Sequence, residues 1–235
     1  MTERRVAVVT GGTRGIGAAV ARRLARDGFA TFVSGRTEPS VRAALEGFAK
    51  EKLEIRGLAA DARREDDQRR LVEFAAREGG RLDVLVNNAG IGRFAPVDRI
   101  EPEDFREVLE TNLLGPFYAI RHAVPRMRES GGGFIVQIAS LASVNAFAGG
   151  AAYNASKFGL LGFSDAAMLD LRHDGIRMAC VLPGSVATEF GHAPGDSSWM
   201  LAPEDVAEAV ADLVRFPGRA IPSRIDLRPS RPPKK

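Results

Sequence analysis

Apolar residues fall into two alternating arrangements along the chain. Short continuous runs stand at 5–9 (RVAVV), 31–35 (TFVSG), 54–60 (EIRGLAA), 82–88 (LDVLVNN), 133–140 (GFIVQIAS), 176–184 (IRMACVLPG) and, less strongly, 221–229 (IPSRIDLRP). Longer amphipathic stretches separate them: Ile16–Asp27, Val41–Lys50, Glu65–Glu78, Glu103–Arg128, Ala152–His173 and Pro203–Phe216. Continuous apolar strands alternating with helices predict a parallel sheet covered on both faces. Right-handed crossovers then make it an α/β, doubly wound fold of seven strands. Helix starts are marked at Glu101-Pro102-Glu103-Asp104 and Ala202-Pro203-Glu204-Asp205, where Pro and acids occupy a first turn. No internal repeat or linker-like shift divides the chain, so one domain over 1–228 is expected, with 229–235 as a solvated tail.

Composition narrows the class. Of 235 residues 45% are hydrophobic and 27% charged, enough apolar side chains to bury a substantial core. A single cysteine, Cys180, excludes an internal disulfide framework, and no Cys/His cluster has metal-ligand spacing. No apolar run reaches the length of a membrane span, and the apolar stretch after the basic start runs into glycines too soon for a signal peptide. A cytoplasmic protein without a membrane partner is expected. The net charge of +3 comes from 33 basic and 30 acidic residues in a mixed pattern, which argues against nucleic acid as a partner. Five of the basic residues are lysines, and Lys157 is the only one between Lys52 and Lys234.

The first run leads at once into Thr10-Gly11-Gly12-Thr13-Arg14-Gly15-Ile16-Gly17 and then a helix. A flexible turn would explain a glycine cluster elsewhere. In the first strand-to-helix turn it suits a pyrophosphate, which must approach backbone N–H groups that side chains would block. Asn87-Asn88-Ala89-Gly90 ends the fourth run, where short amides either make a turn or tie strand ends at the rim of a crevice. Tyr153-Asn-Ala-Ser-Lys157 places a phenol and an ammonium on one helical face. A nearby cation favours the phenolate of a group that is otherwise a poor acid–base at neutral pH. Ser140, thirteen residues before Tyr153, closes the fifth run as a cap or as a hydroxyl for a substrate oxygen, with Ser143 its rival. Asn112 lies inside a long apolar helix, either packed and satisfied or holding a buried water.

In identity and order these residues resemble the short-chain dehydrogenase/reductase family over residues 5 to about 216. Gly-x-x-x-Gly-x-Gly, the NNAG tetrapeptide, Asn112, Ser140, Tyr153 and Lys157 carry the resemblance, as does Pro183-Gly184-Ser-Val186-Ala-Thr188 after the sixth strand. It implies a Rossmann-type fold and reversible hydride transfer between a nicotinamide and a carbonyl or secondary alcohol. Tyr153 would donate the proton, Ser140 orient the oxygen, and Lys157, with the Asn112 amide behind it, resupply the proton. Cofactor contacts are implied for Gly11, Thr13, Arg14, Gly15, Ile16, Gly17, Arg36, Asn88, Ala89, Gly90, Tyr153, Lys157, Pro183, Gly184, Val186 and Thr188. Asp61 would accept from the adenine amino group or, read alone, cap a helix before Arg63.

Strand two ends in Gly35-Arg36, where enzymes using NAD carry an acid. With Arg14 in the glycine loop, this points to NADP(H) as the preferred cofactor, NAD(H) remaining admissible. The segment from Glu189 to Leu201 is expected to close over substrate, with Gly191 and Gly195 as mobile points. Phe94, Leu141, Val144, Phe147, Phe190, Trp199 and Met200 are candidate pocket residues. Gly131 and Asp174 stand at positions where relatives acting on acyl carrier protein carry basic residues for their acidic partner, though Arg128 and Arg172 are near. A small free ketone, aldehyde or alcohol is the first expectation. The alternatives are 3-oxoacyl-[acyl-carrier-protein] reduction and a non-catalytic NADP-binding regulator. The resemblance implies that the helices 103–128 and 152–173 pack subunits together, with Leu160, Phe163 and Leu171 compatible with that face, in a homotetramer or homodimer.

Overall fold

Four consecutive valine and alanine side chains, Val6–Val9, have no exposed surface, so strand β1 is covered on both faces. Burial is also continuous along β4 (Val84–Asn87), and nearly so along β2 (Ala30–Gly35), β5 (Gly133–Ile138) and β6 (Ile176–Pro183), where only Ala30, Gly133 and Arg177 are half-buried. With β3 (Ile55–Ala59) and β7 (Arg224–Leu227) these form one seven-stranded sheet in the order β3-β2-β1-β4-β5-β6-β7, every pairing parallel. The fold is thus the seven-stranded Rossmann type expected from the apolar pattern. The computed structural model describes residues 4–190 and 197–233.

Helices α1 (Gly15–Arg26), α2 (Glu38–Lys50) and α7 (Pro203–Arg215) cover one face, closing over Val9, Val86, Val136 and Val181. Helices α3 (Glu65–Gly79), α5 (Gly115–Glu129) and α6 (Ala151–Leu171) cover the other, over Val8, Leu85, Ile135 and Met178. Alternate residues of one strand therefore feed two separate cores. No helix among the described residues is long and apolar enough to cross a membrane. The chain order reverses between β1 and β4, and the crevice at their carboxyl ends is where such sheets take ligands.

One helix departs from expectation. The stretch 103–128 is not continuous: α4 (Pro102–Leu109) passes into a π-helical turn, Glu110–Leu114, before α5 begins. Pro116 explains the break. It lacks the N–H that would bond the carbonyl of Asn112 four residues earlier, so the regular ladder cannot run through. Amphipathic spacing hides this, because a one-residue slip barely changes which face is apolar.

Candidate active site

The glycine loop is built from both sides. Gly11 sits at φ 62°, and a Cβ there would meet the Ala89 backbone at 2.8 Å. At Gly17 it would stand 2.3 Å from the Gly11 carbonyl oxygen and 2.4 Å from Asn88 Nδ2. Asn88 Nδ2 donates to the carbonyls of Thr10 and Gly11 at 3.1 and 3.0 Å, while Thr10 Oγ1 accepts from the N–H groups of Asn88 and Ala89. The second asparagine of NNAG thus ties the loop to β4 rather than pointing away from it.

Helix α1 opens without a side-chain cap and without an acid in its first turn. Its first intrahelical bond runs from Ala18 N–H to Arg14 O, so the N–H groups of Gly15, Ile16 and Gly17 have no acceptor within the helix. Donors of that kind beside a helix dipole suit a phosphate. Thr188 faces this loop across the crevice, its methyl 3.3 Å from where a Gly15 Cβ would lie. Gly35, the last residue of β2, leaves room for the Thr13 methyl, which would stand 2.6 Å from an added Cβ. These residues fit a dinucleotide: open N–H donors for its pyrophosphate, and no acid at the end of β2.

The rim arginines are not free of partners. Arg14 pairs with Glu189 across the crevice, both side chains largely exposed. Arg36 Nη1 lies 3.8 Å from Glu107 Oε1. Arg63 grips Asp61 with two nitrogens, and this guanidinium holds the Asp61 carboxyl below the usual carboxylate range. Asp61 does not cap α3, whose N-cap is Arg64; its Oδ1 instead accepts the Arg63 backbone N–H at 3.0 Å.

Tyr153, Ser140 and Lys157 meet at the carboxyl end of β5. Burial pushes the pKa of the Tyr153 phenol up, and the neighbouring Ser140 side chain acts against that rise. Ser140 Oγ accepts from Ala142 N–H at 3.1 Å and so caps the following turn. The hydroxyl of Ser143, the rival, is buried without a hydrogen-bond partner among the described residues. Lys157 Nζ lies 5.8 Å from the Tyr153 ring centroid and donates to the Ile138 carbonyl at 2.9 Å. Burial lowers its pKa to about 8.

Asn112 sits in the π-helical turn, and its amide is fully used. Oδ1 accepts from Ile91 N–H at 2.9 Å; Nδ2 donates to Ile91 O at 2.9 Å and to Ser156 Oγ at 3.0 Å. The side chain thus fastens the loop after NNAG to α6. The group without its ordinary helical partner is the Asn112 backbone carbonyl, because of Pro116.

Of the candidate pocket residues, Phe94 and Phe190 pack on the Tyr153 ring at 5.6 and 5.8 Å between centroids, and Phe147 packs on Phe94 at 5.9 Å. Leu141 and Val144 instead join the small core of Ala139, Leu160, Cys180 and Leu182. Trp199 and Met200 are half-buried, and His192, Gly191 and Gly195 lie outside the described residues. Sequence reasoning missed Glu107, which gathers Arg36, Arg63 and Arg93, and Ser156, which supports Asn112. Ser156, one residue before Lys157, could have been flagged by its place inside the Tyr-x-x-x-Lys segment. Nothing local marks Glu107.

A family model described as short chain dehydrogenase matches residues 5–197. Dehydrogenase/reductase SDR family member 4 of Oryctolagus cuniculus is 35% identical over 190 residues, 80% of this chain and 73% of that protein. A putative ketoacyl reductase of Streptomyces coelicolor is 33% identical over 225 residues, 94% of this chain and 86% of the relative. The crystal structure of a metagenomic short-chain oxidoreductase in complex with NADP superposes with a TM-score of 0.84 at 34% identity, covering 97% of this chain and 98% of that one.

Proposed function

The chain belongs to the short-chain dehydrogenase/reductase family and is an oxidoreductase; on that premise we propose that it interconverts a carbonyl and a secondary alcohol on a small free molecule, with NADPH preferred over NADH. The observation that carries this reading is the phenol of Tyr153, with Ser140 beside it and the Lys157 ammonium 5.8 Å from its ring centroid, at the mouth of a glycine-lined crevice. When bound, the nicotinamide supplies the hydride. Gly11, Thr13, Gly15, Ile16 and Gly17 would hold its pyrophosphate side, Asn88, Ala89 and Gly90 line the crevice floor, and Pro183, Gly184, Val186 and Thr188 the nicotinamide side. Arg36, with Arg14, would meet a 2′-phosphate.

Within this site Ser140 holds the substrate oxygen next to the phenol, and Tyr153 gives it the proton. The upward pull of burial keeps the phenol protonated at neutral pH, as a donor must be. Lys157, with a pKa near neutrality, is suited to return the proton, and Asn112 fixes the geometry behind it. Phe94 and Phe190 keep water from the reacting oxygen.

The test is turnover of a panel of ketones and aldehydes with NADPH, followed by nicotinamide absorbance. Tyr153→Phe should lower kcat about 10²–10⁴-fold while cofactor affinity holds. Tight cofactor binding with no turnover on the panel would instead assign a regulator. Equal kcat/KM with NADH and NADPH would refute the cofactor preference, and Arg36→Asp should narrow or invert it.

The Streptomyces ketoacyl reductase favours a second reading, reduction of a carrier-bound 3-oxoacyl group. Against it, Arg128 is committed to Asp174 at 2.6 Å, which removes a basic contact for an acidic carrier. Comparing a free 3-oxoester with the same acyl group on carrier protein separates the two. Leu114, Phe117 and Phe158 expose 39–45% of their surface on the π-helical turn, α5 and α6. A homotetramer or homodimer closing over that face is the assembly we propose, checked by light scattering.

A further inference from the structure

Glu107 is placed where three guanidinium groups converge. Its Oε1 lies 3.2 Å from Arg63 Nη1 and 3.8 Å from Arg36 Nη1, and its Oε2 accepts from Arg93 Nη2 at 3.0 Å. The three arginines come from different loops, after β2, β3 and β4. Glu107 is the inner member of the Arg36 pair: its side chain is 20% exposed, while Arg36 is 65% exposed.

We propose that Glu107 is a specificity-determining residue that occupies Arg36 in the free protein and yields it to the 2′-phosphate of the cofactor. This rests on the proposed role of Arg36 as the phosphate contact. The geometry makes the exchange inexpensive. The Arg36 contact is the longest of the three, and Arg36 has the exposure to swing outward. When Arg36 leaves, Glu107 retains Arg63 and Arg93, so its charge is not stranded. Arg63 in turn is shared with Asp61 and cannot follow Arg36 to the phosphate without breaking a bidentate pair. Glu107 therefore sets the free-state competitor against which a 2′-phosphate must win. NAD has no group to compete with and does not sense Glu107. The residue tunes preference between the two dinucleotides without touching the reacting atoms.

The test is a double-mutant cycle on the full chain, with Kd for NADP⁺ and NAD⁺ measured by calorimetry on wild type, Glu107→Gln, Arg36→Ala and the double variant. Because exposed ion pairs contribute little, freeing Arg36 should tighten NADP⁺ by about two- to fivefold, with NAD⁺ unchanged. In the Arg36→Ala background the same substitution should leave NADP⁺ affinity where it was. Unchanged or weaker NADP⁺ binding by Glu107→Gln overturns the exchange. So does equal tightening in both backgrounds, which would mean simple repulsion between carboxylate and phosphate. Glu107→Asp, too short to hold Arg36 and the other two together, must move NADP⁺ in the same direction as Gln. If Arg36→Ala leaves the ratio of NADP⁺ to NAD⁺ affinity intact, the phosphate role of Arg36 fails and takes this proposal with it. If that ratio falls but Glu107→Gln is silent, only the exchange fails.

Discussion

Replacing Lys157 by Met should stabilise the fold at neutral pH. Lys157 lies inside the protein with 5% of its surface exposed, and burial drops its pKa from 10.5 to about 8. Below about pH 8 the folded chain holds a charged ammonium that water would solvate better. Between about 8 and 10.5 the unfolded chain binds more protons than the folded one, so stability rises with pH across that window. At 1.36 kcal/mol per pKa unit the charged lysine costs about 3 kcal/mol at pH 7. Methionine has a similar apolar stem and escapes that cost. It also forfeits the hydrogen bond to the Ile138 carbonyl, worth about 1 kcal/mol. The expected gain is about 2 kcal/mol at pH 7, vanishing or reversing by pH 10.5. Urea unfolding of both proteins, followed by far-UV circular dichroism at the two pH values, measures it. A variant less stable than wild type at pH 7, or a difference that does not change with pH, would show that the lysine is not the strained group described here.

Gly17→Ala should destabilise the fold by about 1–3 kcal/mol in a thermal melt, since its Cβ would press on the Gly11 carbonyl and Asn88, and dinucleotide binding should fall with it. Asn112→Leu leaves the Ile91 N–H and carbonyl without their side-chain partner and takes a donor from the Ser156 hydroxyl; about 2–4 kcal/mol of stability should be lost in urea unfolding. Ser140→Ala removes the hydroxyl that opposes the upward shift of the Tyr153 phenol, so the pH at which alcohol oxidation reaches half its plateau should move higher in a kcat/KM profile.

The fold was legible because its signals are local. Buried parallel strands read as unbroken apolar runs: six of the seven runs contain an observed strand, shorter by at most three residues at either end, and β2 begins at Ala30, one residue before its run. The placement of Tyr153, Lys157 and Ser140 was legible for the same reason, since a helix fixes the i, i+4 pair and a strand end places the serine. What the sequence hid is tertiary. The pairing of Arg36 and Arg63 with Glu107 joins loops 44 to 71 residues away, and no periodicity encodes it. The partner of the Asn112 amide was hidden because the Ile91 backbone carries no side-chain signature. Pro116 was in plain view as a helix breaker, yet the surrounding amphipathic pattern outweighed it.

The sheet itself changes character two residues from its carboxyl edge. On the face under α5 and α6, Leu85, Ile135 and Met178 belong to the apolar core. One step of the pleat further, on the same face, stand Asn87, Gln137 and Cys180, which are register neighbours across β4, β5 and β6. All three are buried, and the amides of Asn87 and Gln137 make no hydrogen bond to any described residue. Cys180, raised by burial, lies close enough to Lys157 for each to bias the other's proton. A row that could have extended the hydrophobic core is spent on groups that are costly to bury. The stabilising part of the sheet therefore ends where the proposed catalytic layer begins, and the cost of burying Lys157 belongs to that layer and is not an isolated defect. Stability lost in this single row is supplied by the apolar rows beneath it, so polar-to-apolar changes there should raise stability while leaving the fold in place.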